Sequence, residues 1–297
     1  MKKFGRLMTS AKVAPYVFIA PFIITFLVFF LLPTIRTFMM SFQRIIPGSV
    51  EFVGLENYKD LFDETFFKAV GNSVLFTFWS VLVLVSLPIL LAVLLNYGIT
   101  KLKNPLKMFL FLPAVVSTIV GGVIFRQIFG ELDTSFMNRI LHLFSIEPQQ
   151  WTMKFSTGML LMVLLAVWRW TGVNMLYFLA GLQNIPDELY ESADIDGAAW
   201  PRKFLHITLP SLQPVILFVT IISVSAGLKM FEESYVFWQG RSPMNIGLTM
   251  VGYIYREGIS LGNLGLGSAA GVILLMMILV VSIFQLKRFG LLQKEEK

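Results

Sequence analysis

Ten consecutive residues, Asp187 to Asp196, carry five carboxylates: Asp187, Glu188, Glu191, Asp194 and Asp196. Gly197, the basic pair Arg202 and Lys203, and the close Ile207-Thr208-Leu209-Pro210 follow. This polar stretch, 186–214, lies between two long apolar runs. It is longer and more ordered in its charges than a simple connection requires, so it reads as a small docking element. A second group of polar residues interrupts the apolar runs themselves: Trp168, Arg169, Trp170 and Asn174 in one, and Ser223, Ser225, Lys229, Glu232 and Glu233 in or at the end of the next. Polar groups at such depth are costly and mark functional positions by default.

Chemistry of other kinds finds no residues to rest on. No GxxxxGK[ST] segment is present to cradle nucleotide phosphates. The two histidines, His142 and His206, stand far apart, and no metal-ligand or Ser/His/Asp spacing occurs. With no cysteine, disulfides, iron–sulfur clusters and thiol chemistry are excluded. An enzyme is therefore not expected.

The elements that must hold these residues are membrane spans. Of the 297 residues, 56% are hydrophobic and 14% charged, against about 45–50% and about 25% in soluble domains. The excess falls in blocks of about 20 residues, enough to cross a hydrocarbon core of about 30 Å. They do not alternate as barrel strands would. Six spans are predicted: Ala14–Met40, Val70–Tyr97, Leu106–Phe129, Thr157–Leu182, Val215–Tyr235 and Gly267–Leu286. The expected class is an all-α, polytopic membrane protein with six transmembrane helices. The basic start resembles a signal peptide, but the apolar run is long and no small-residue cleavage site follows, so the first span is expected to be retained.

Net charge is +6, and its distribution sets topology rather than nucleic-acid binding. Lys2, Lys3, Arg6 and Lys12, then Lys101, Lys103 and Lys107, then Lys287, Arg288, Lys294 and Lys297 flank spans that end on one side. The positive-inside rule makes that side cytoplasmic. This predicts a cytoplasmic tail over 1–13, a transmembrane domain over 14–286 whose docking loop, 186–214, also faces the cytoplasm, and a second cytoplasmic tail over 287–297. The expected location is a plasma or inner membrane.

Within the loop, Pro186 suits a first helical position, and Asp187 and Glu188 favour the positive end of the helix dipole. Leu189, Ala193 and Asp196 share a face at helical spacing. Gly197 is a hinge or left-handed cap ending this first helix, and 198–206 can form a second, with Pro201 near its start. Such a unit can enter a groove on a partner. Lying flat on lipid headgroups is the other reading, which five acids beside an anionic leaflet oppose.

The same residues carry a resemblance. Glu191-Ser192-Ala193, three residues, Gly197, nine residues, then Ile207-x-Leu209-Pro210 is similar to the cytoplasmic EAA-type loop of binding-protein-dependent ATP-binding cassette importer permeases. Ser192 stands where that pattern has Ala. Phe52-Val53-Gly54-Leu55-Glu56-Asn57-Tyr58, Asn72-Ser73-Val74, and Ala14-Pro15-Tyr16 through Pro33 resemble the first permease subunit of the carbohydrate-uptake, maltose-type branch. Residues 168–186 and 231–249 point toward its arabinose-oligosaccharide type. The resemblance covers nearly the whole chain and implies the type I ABC importer permease fold. It implies, as partners, a second homologous permease subunit, two cytoplasmic ATPase subunits that bind the ATP, and an external sugar-binding protein, with no cofactor in this chain. Coupling to the ATPase is implied at Glu191, Ala193, Asp196, Gly197, Ala198, Ile207, Leu209 and Pro210.

The resemblance also implies a sugar path between the fourth and fifth spans, with Trp170, Val173 and Ser223 near the corresponding positions. Flat aromatic faces and hydroxyl-matching polar groups suit sugar rings, and Trp170, Asn174 and Ser223 supply them. Gly227, Lys229, Glu232 and Glu233 complete the candidate path. Structural roles compete: Trp170 as an interfacial residue, Ser223 as an interhelical donor, and Lys229 with Glu232 or Glu233 as an ion pair. Other functions also stay open: an importer of the same class for a solute such as glycerol phosphate, an ion-coupled secondary transporter, or a membrane enzyme.

Overall fold

The computed structural model describes residues 13–46, 48–97 and 103–288. Most of the N-terminal tail, Lys101, Lys294 and Lys297 lie outside them. The chain divides into two compact units: residues up to 62 with 254–273, and 63–253 with the residues from 274 on. Most of the described residues are helical, as expected, with one short hairpin added.

In the first unit, α1 (Ala14–Phe26) continues through a π-helical turn (Leu27–Leu31) into α2 (Leu32–Met40). None of these side chains is buried, which suits an apolar helix covered by lipid tails. Pro33 lacks the N–H that the Phe29 carbonyl would receive, and its ring crowds that turn. The preceding turn widens, and Leu32 N–H donates to the Leu27 carbonyl instead. The strands β1 (Gln43–Ile46) and β2 (Ser49–Phe52) pair antiparallel and lead into α3 (Glu56–Leu61). Asn57 donates to the Ser41 and Gln43 carbonyls at 2.9 and 3.0 Å. Tyr58 and Ser41 share a hydroxyl contact at 2.8 Å. The motif 52–58 therefore closes the hairpin onto the helix before it.

The second unit contains the long helices α4 (Glu64–Tyr97) and α8 (Phe155–Leu182). Asp63 starts α4 by accepting the Phe66 N–H at 2.6 Å, an N-cap worth about 1 kcal/mol. At 34 residues the helix runs about 50 Å, so it extends beyond the predicted span, and its first turns leave the hydrocarbon core. The predicted continuous third span is corrected: α5 (Lys103–Val115) and α6 (Thr118–Ile128) meet at a 99° bend. Ser117 is extended, with ψ 137°, and an extended residue ends a helix regardless of hydropathy. Five long apolar helical stretches, one of them broken at Lys229–Phe231, plus this bent pair, account for the six expected spans. The connection after α6 holds α7 (Phe136–Leu143). Its fully buried Asn138 takes Trp151 Nε1–H at 2.8 Å and donates to the Leu132 and Gln149 carbonyls at 3.1 Å.

After α8 come the loop helices α9 (Asp187–Ile195) and α10 (Trp200–Lys203), a π-helical turn (Phe204–Thr208) and α11 (Leu209–Ser211). The fifth span is α12 (Gln213–Leu228), a break at Lys229–Phe231, and α13 (Glu232–Trp238). Beyond them lie α14 (Met250–Ile254) and the last span, α15 (Leu264–Arg288). Asn72 of α4 donates to the Asn245, Ile246 and Leu248 carbonyls at 3.0, 3.3 and 2.8 Å, while Ser73 accepts the Met250 N–H at 2.9 Å. Asn72-Ser73 thus pins the irregular 243–249 segment to α4. Backbone without its own ladder is tolerated at such a place only when protein groups satisfy it.

Candidate functional site

The polar loop 186–214 folds as its residues dictate. Asp187 and Glu188 occupy the first turn of α9, and Pro186 stands at the cap, one position before the expected one. Gly197 has φ +69°. Its N–H donates to the Asp194 carbonyl at 3.0 Å, and the Ala198 N–H donates to the Ala193 carbonyl at 2.9 Å. This pair is a Schellman motif, the left-handed cap expected at this glycine. The second helix begins at Trp200, with Pro201 in its first turn, and runs on to Ser211 rather than ending at His206. Pro210 follows a π-helical turn by two residues, as Pro33 does, and for the same reason: its ring and missing N–H widen the turn before it.

Inner residues anchor the loop. Tyr190, Phe204 and Ile207 pack against a buried cluster that includes Leu182, Ile185 and Leu212. The Tyr190 and Thr208 hydroxyls meet at 2.9 Å, and Lys203 pairs with Asp194. Glu191, Asp196, Gly197 and Pro210 remain exposed, and Ala193, Ala198, Ile207 and Leu209 are half-buried. Ile195 is 88% exposed and Trp200 55%. Those two apolar side chains at the bend were not among the sequence candidates. Their signal was an apolar residue between Asp194 and Asp196, and an aromatic next to Pro201, with no core face to serve.

Six of the eight path candidates, Trp170, Val173, Asn174, Ser223, Gly227 and Glu233, line one cavity of about 250 Å³. Its walls are Phe76, Ser80 and Leu84 of α4, Trp170, Val173, Asn174 and Tyr177 of α8, Ser223 and Gly227 of α12, and Glu233 of α13. Two larger grooves, of about 410 and 500 Å³, are lined almost wholly by apolar side chains. Size favours them, but convergent polar groups mark the smaller cavity as the place for a polar solute. Gly227 lets α12 approach α4: a Cβ there would lie 2.8 Å from Thr77 Oγ1 and 3.1 Å from Thr77 Cα.

Pro88 explains Asn174. An α-helix would send the residue 88 N–H to the Leu84 carbonyl, and proline has none. Asn174 Nδ2 donates to that carbonyl at 2.9 Å and lies 3.5 Å from Ser223 Oγ. Ser223 thus takes part in an interhelical contact, but as the acceptor rather than the expected donor, and both residues still face the cavity.

Lys229 is corrected. It is exposed at the end of α12 and is not in the cavity wall, and the two acids pair elsewhere. The break at Lys229–Phe231 turns α13 so that Glu232 and Glu233 face Arg169 of α8. Arg169 Nη1 stands 3.8 Å from Glu232 Oε2 and 3.6 Å from Glu233 Oε1. Thr118 of α6 also donates to Glu232. Glu232 is largely exposed and outside the cavity wall, whereas Glu233 is buried in it. Arg169 lies over the Trp170 ring, its Cζ 5.2 Å from the centroid. Arg169 stood in the sequence only as a polar residue of the fourth span; a cation in a span requires a carboxylate partner, and α13 supplies two.

The chain is similar to known proteins over nearly its whole length. A permease protein of Bacillus subtilis (strain 168) named for arabinooligosaccharide transport, AraP, is 57% identical over 284 residues, covering 96% of this chain and 91% of its own. The AraP of Halalkalibacterium halodurans is 50% identical, covering all of this chain and 95% of its own. The trehalose/maltose permease protein MalF of Thermococcus litoralis is 32% identical, with 92% of both chains covered. A chain of a bacterial ABC transporter involved in alginate import superposes with a TM-score of 0.83 at 24% identity, over 95% of this chain and 96% of that one. This last likeness concerns the fold. The family described as binding-protein-dependent transport system inner membrane component matches residues 65–288, and the chain belongs to that family as a multi-pass permease.

Proposed function

We propose that this chain is the permease subunit of an ATP-driven oligosaccharide importer, that it forms half of the path, and that arabinose oligosaccharides are the substrate class. One observation carries the substrate: 57% identity across 96% of the chain to a permease named for arabinooligosaccharide transport. The cavity suits it, because Trp170 and Tyr177 offer aromatic faces while Asn174, Ser223 and Glu233 offer hydrogen-bonding groups. About 250 Å³ is below the usual 300–1,000 Å³ of a ligand site, as suits one half of a path completed by a second permease subunit.

In this reading the docking loop and both termini face the cytoplasm. Two ATPase subunits bind the nucleotide, and each permease offers its loop to one of them. Ile195 and Trp200 enter the ATPase surface as apolar knobs, with Glu191 and Asp196 at the rim. Closure of the ATPases pushes on α9, whose Schellman turn and Tyr190–Thr208 contact pass the movement to α8 and α12. An external binding protein delivers the sugar, and this chain contributes no catalytic group.

The test is uptake of radiolabelled arabinotriose into vesicles holding the complete importer, with its binding protein outside and ATP within. Uptake that requires ATP and is reduced at least about tenfold by Glu191→Lys, with the ATPase no longer co-purifying, is the expected result. ATP-independent uptake driven by an ion gradient would replace this reading with the ion-coupled one.

A further inference from the structure

Among the described residues, Glu233 is the one charged side chain in the cavity wall. It is 8% exposed, and Arg169, set behind the wall, stands 3.6 Å from its Oε1. The Arg169 side chain is 11% exposed, and its Nε is buried with no hydrogen-bond partner. A single guanidinium therefore fixes two wall elements together, the Glu233 carboxylate by charge and the Trp170 ring by cation–π contact at 5.2 Å. Glu232, 3.8 Å from the same nitrogen, leaves the cluster with one negative charge in excess.

We propose that Glu233 makes the cavity selective for uncharged saccharides, with Arg169 as its positioning residue. The inference rests on the saccharide reading above and deepens it. A carboxylate accepts hydrogen bonds from two neighbouring sugar hydroxyls, and charge-assisted bonds of this kind are the strong ones. A uronate or phosphate group brought to the same wall meets a like charge on a side chain only 8% exposed, where repulsion is less screened than in bulk water. The guanidinium does not reverse this. It lies outside the lining, and its charge is already matched by two carboxylates, so the solute meets the acid. Recognition and exclusion then come from one side chain, held against the aromatic face on which a sugar ring would lie.

The experiment uses the detergent-solubilised complete importer without its binding protein, so that delivery does not filter the solutes. Equilibrium dialysis compares radiolabelled arabinotriose with the same trisaccharide carrying one terminal carboxylate. The wild type is expected to favour the neutral sugar at least about tenfold, or about 1.4 kcal/mol, and Glu233→Gln to narrow the ratio below about threefold. The double variant Arg169→Gln/Glu233→Gln removes both charges and so avoids a stranded guanidinium; it should lose the preference equally. A wild-type preference that persists in both variants overturns the role of Glu233 and leaves the saccharide reading standing, as does equal binding of the two sugars by the wild type. No arabinotriose bound by the wild type overturns both. Arg169→Lys, which keeps the charge but not the planar fork, should weaken binding of the neutral sugar with the melting temperature of the importer unchanged; a melting temperature falling in parallel would give Arg169 a merely structural role.

Discussion

Asn174 illustrates how a single side chain serves the fold and the path together. Pro88 removes the N–H that would satisfy the Leu84 carbonyl, and Asn174 fills the gap at 2.9 Å. Asn174→Ala should therefore cost about 1–3 kcal/mol, the range for a buried polar group left unpaired, read as a lower melting temperature of the purified importer. In a Pro88→Ala background, where the helix supplies its own N–H, the cost should fall to less than half. Equal losses in the two backgrounds would refute the pairing. The missing proline N–H is legible in the sequence, and so is a polar residue in the fourth span. Their meeting is not, because 90 residues separate Asn174 from its acceptor and nothing local selects one asparagine over another. Lys229 fails for a related reason. Proximity in sequence suggests Glu232 or Glu233 as its partner, but the helix break after α12 sends both acids to Arg169.

Helices and turns were easier to read where the backbone chemistry is local. Gly197 announces its own cap, and its φ of +69° bears this out. A Cβ there would meet nothing within 4 Å, so any penalty in this chain comes from the backbone, about 1–2 kcal/mol for an L-residue in that conformation. Gly197→Asn should keep most uptake and Gly197→Val little, measured in the ATP-loaded vesicles; equal uptake by the two would remove the turn from the coupling route. The bend between α5 and α6 escaped the sequence because Val116 and Ser117 do not interrupt an apolar run, and hydropathy carries no information on φ and ψ. That bend brings α6 onto α13, where a Cβ on Gly122 would fall 1.7 Å from Val236 Cγ1. Gly122→Ala should destabilise the importer by about 1–3 kcal/mol, the cost of overpacking, and Val236→Ala should restore much of it. A Gly122→Ala protein that melts like the wild type would show the two helices are not in contact.

At the scale of the molecule, topology and path are the claims to test, and the absence of cysteine makes this chain a convenient background. Single cysteines at Ser192 and at Glu147, both exposed, should react with a membrane-impermeant maleimide from opposite sides, Ser192→Cys only in inside-out vesicles. Labelling of both from one side would break the six-span topology. Charge bias and apolar blocks are enough to propose that topology, whereas the cavity required the packing of α4, α8 and α12, which no single segment encodes. The central claim is that sugar passes through this cavity, and a cysteine in its wall tests it most directly. Ser223→Cys in the complete importer, treated with a small methanethiosulfonate reagent, should lose most arabinotriose uptake, and excess arabinotriose should slow the labelling. Complete labelling with uptake unchanged would place the path elsewhere.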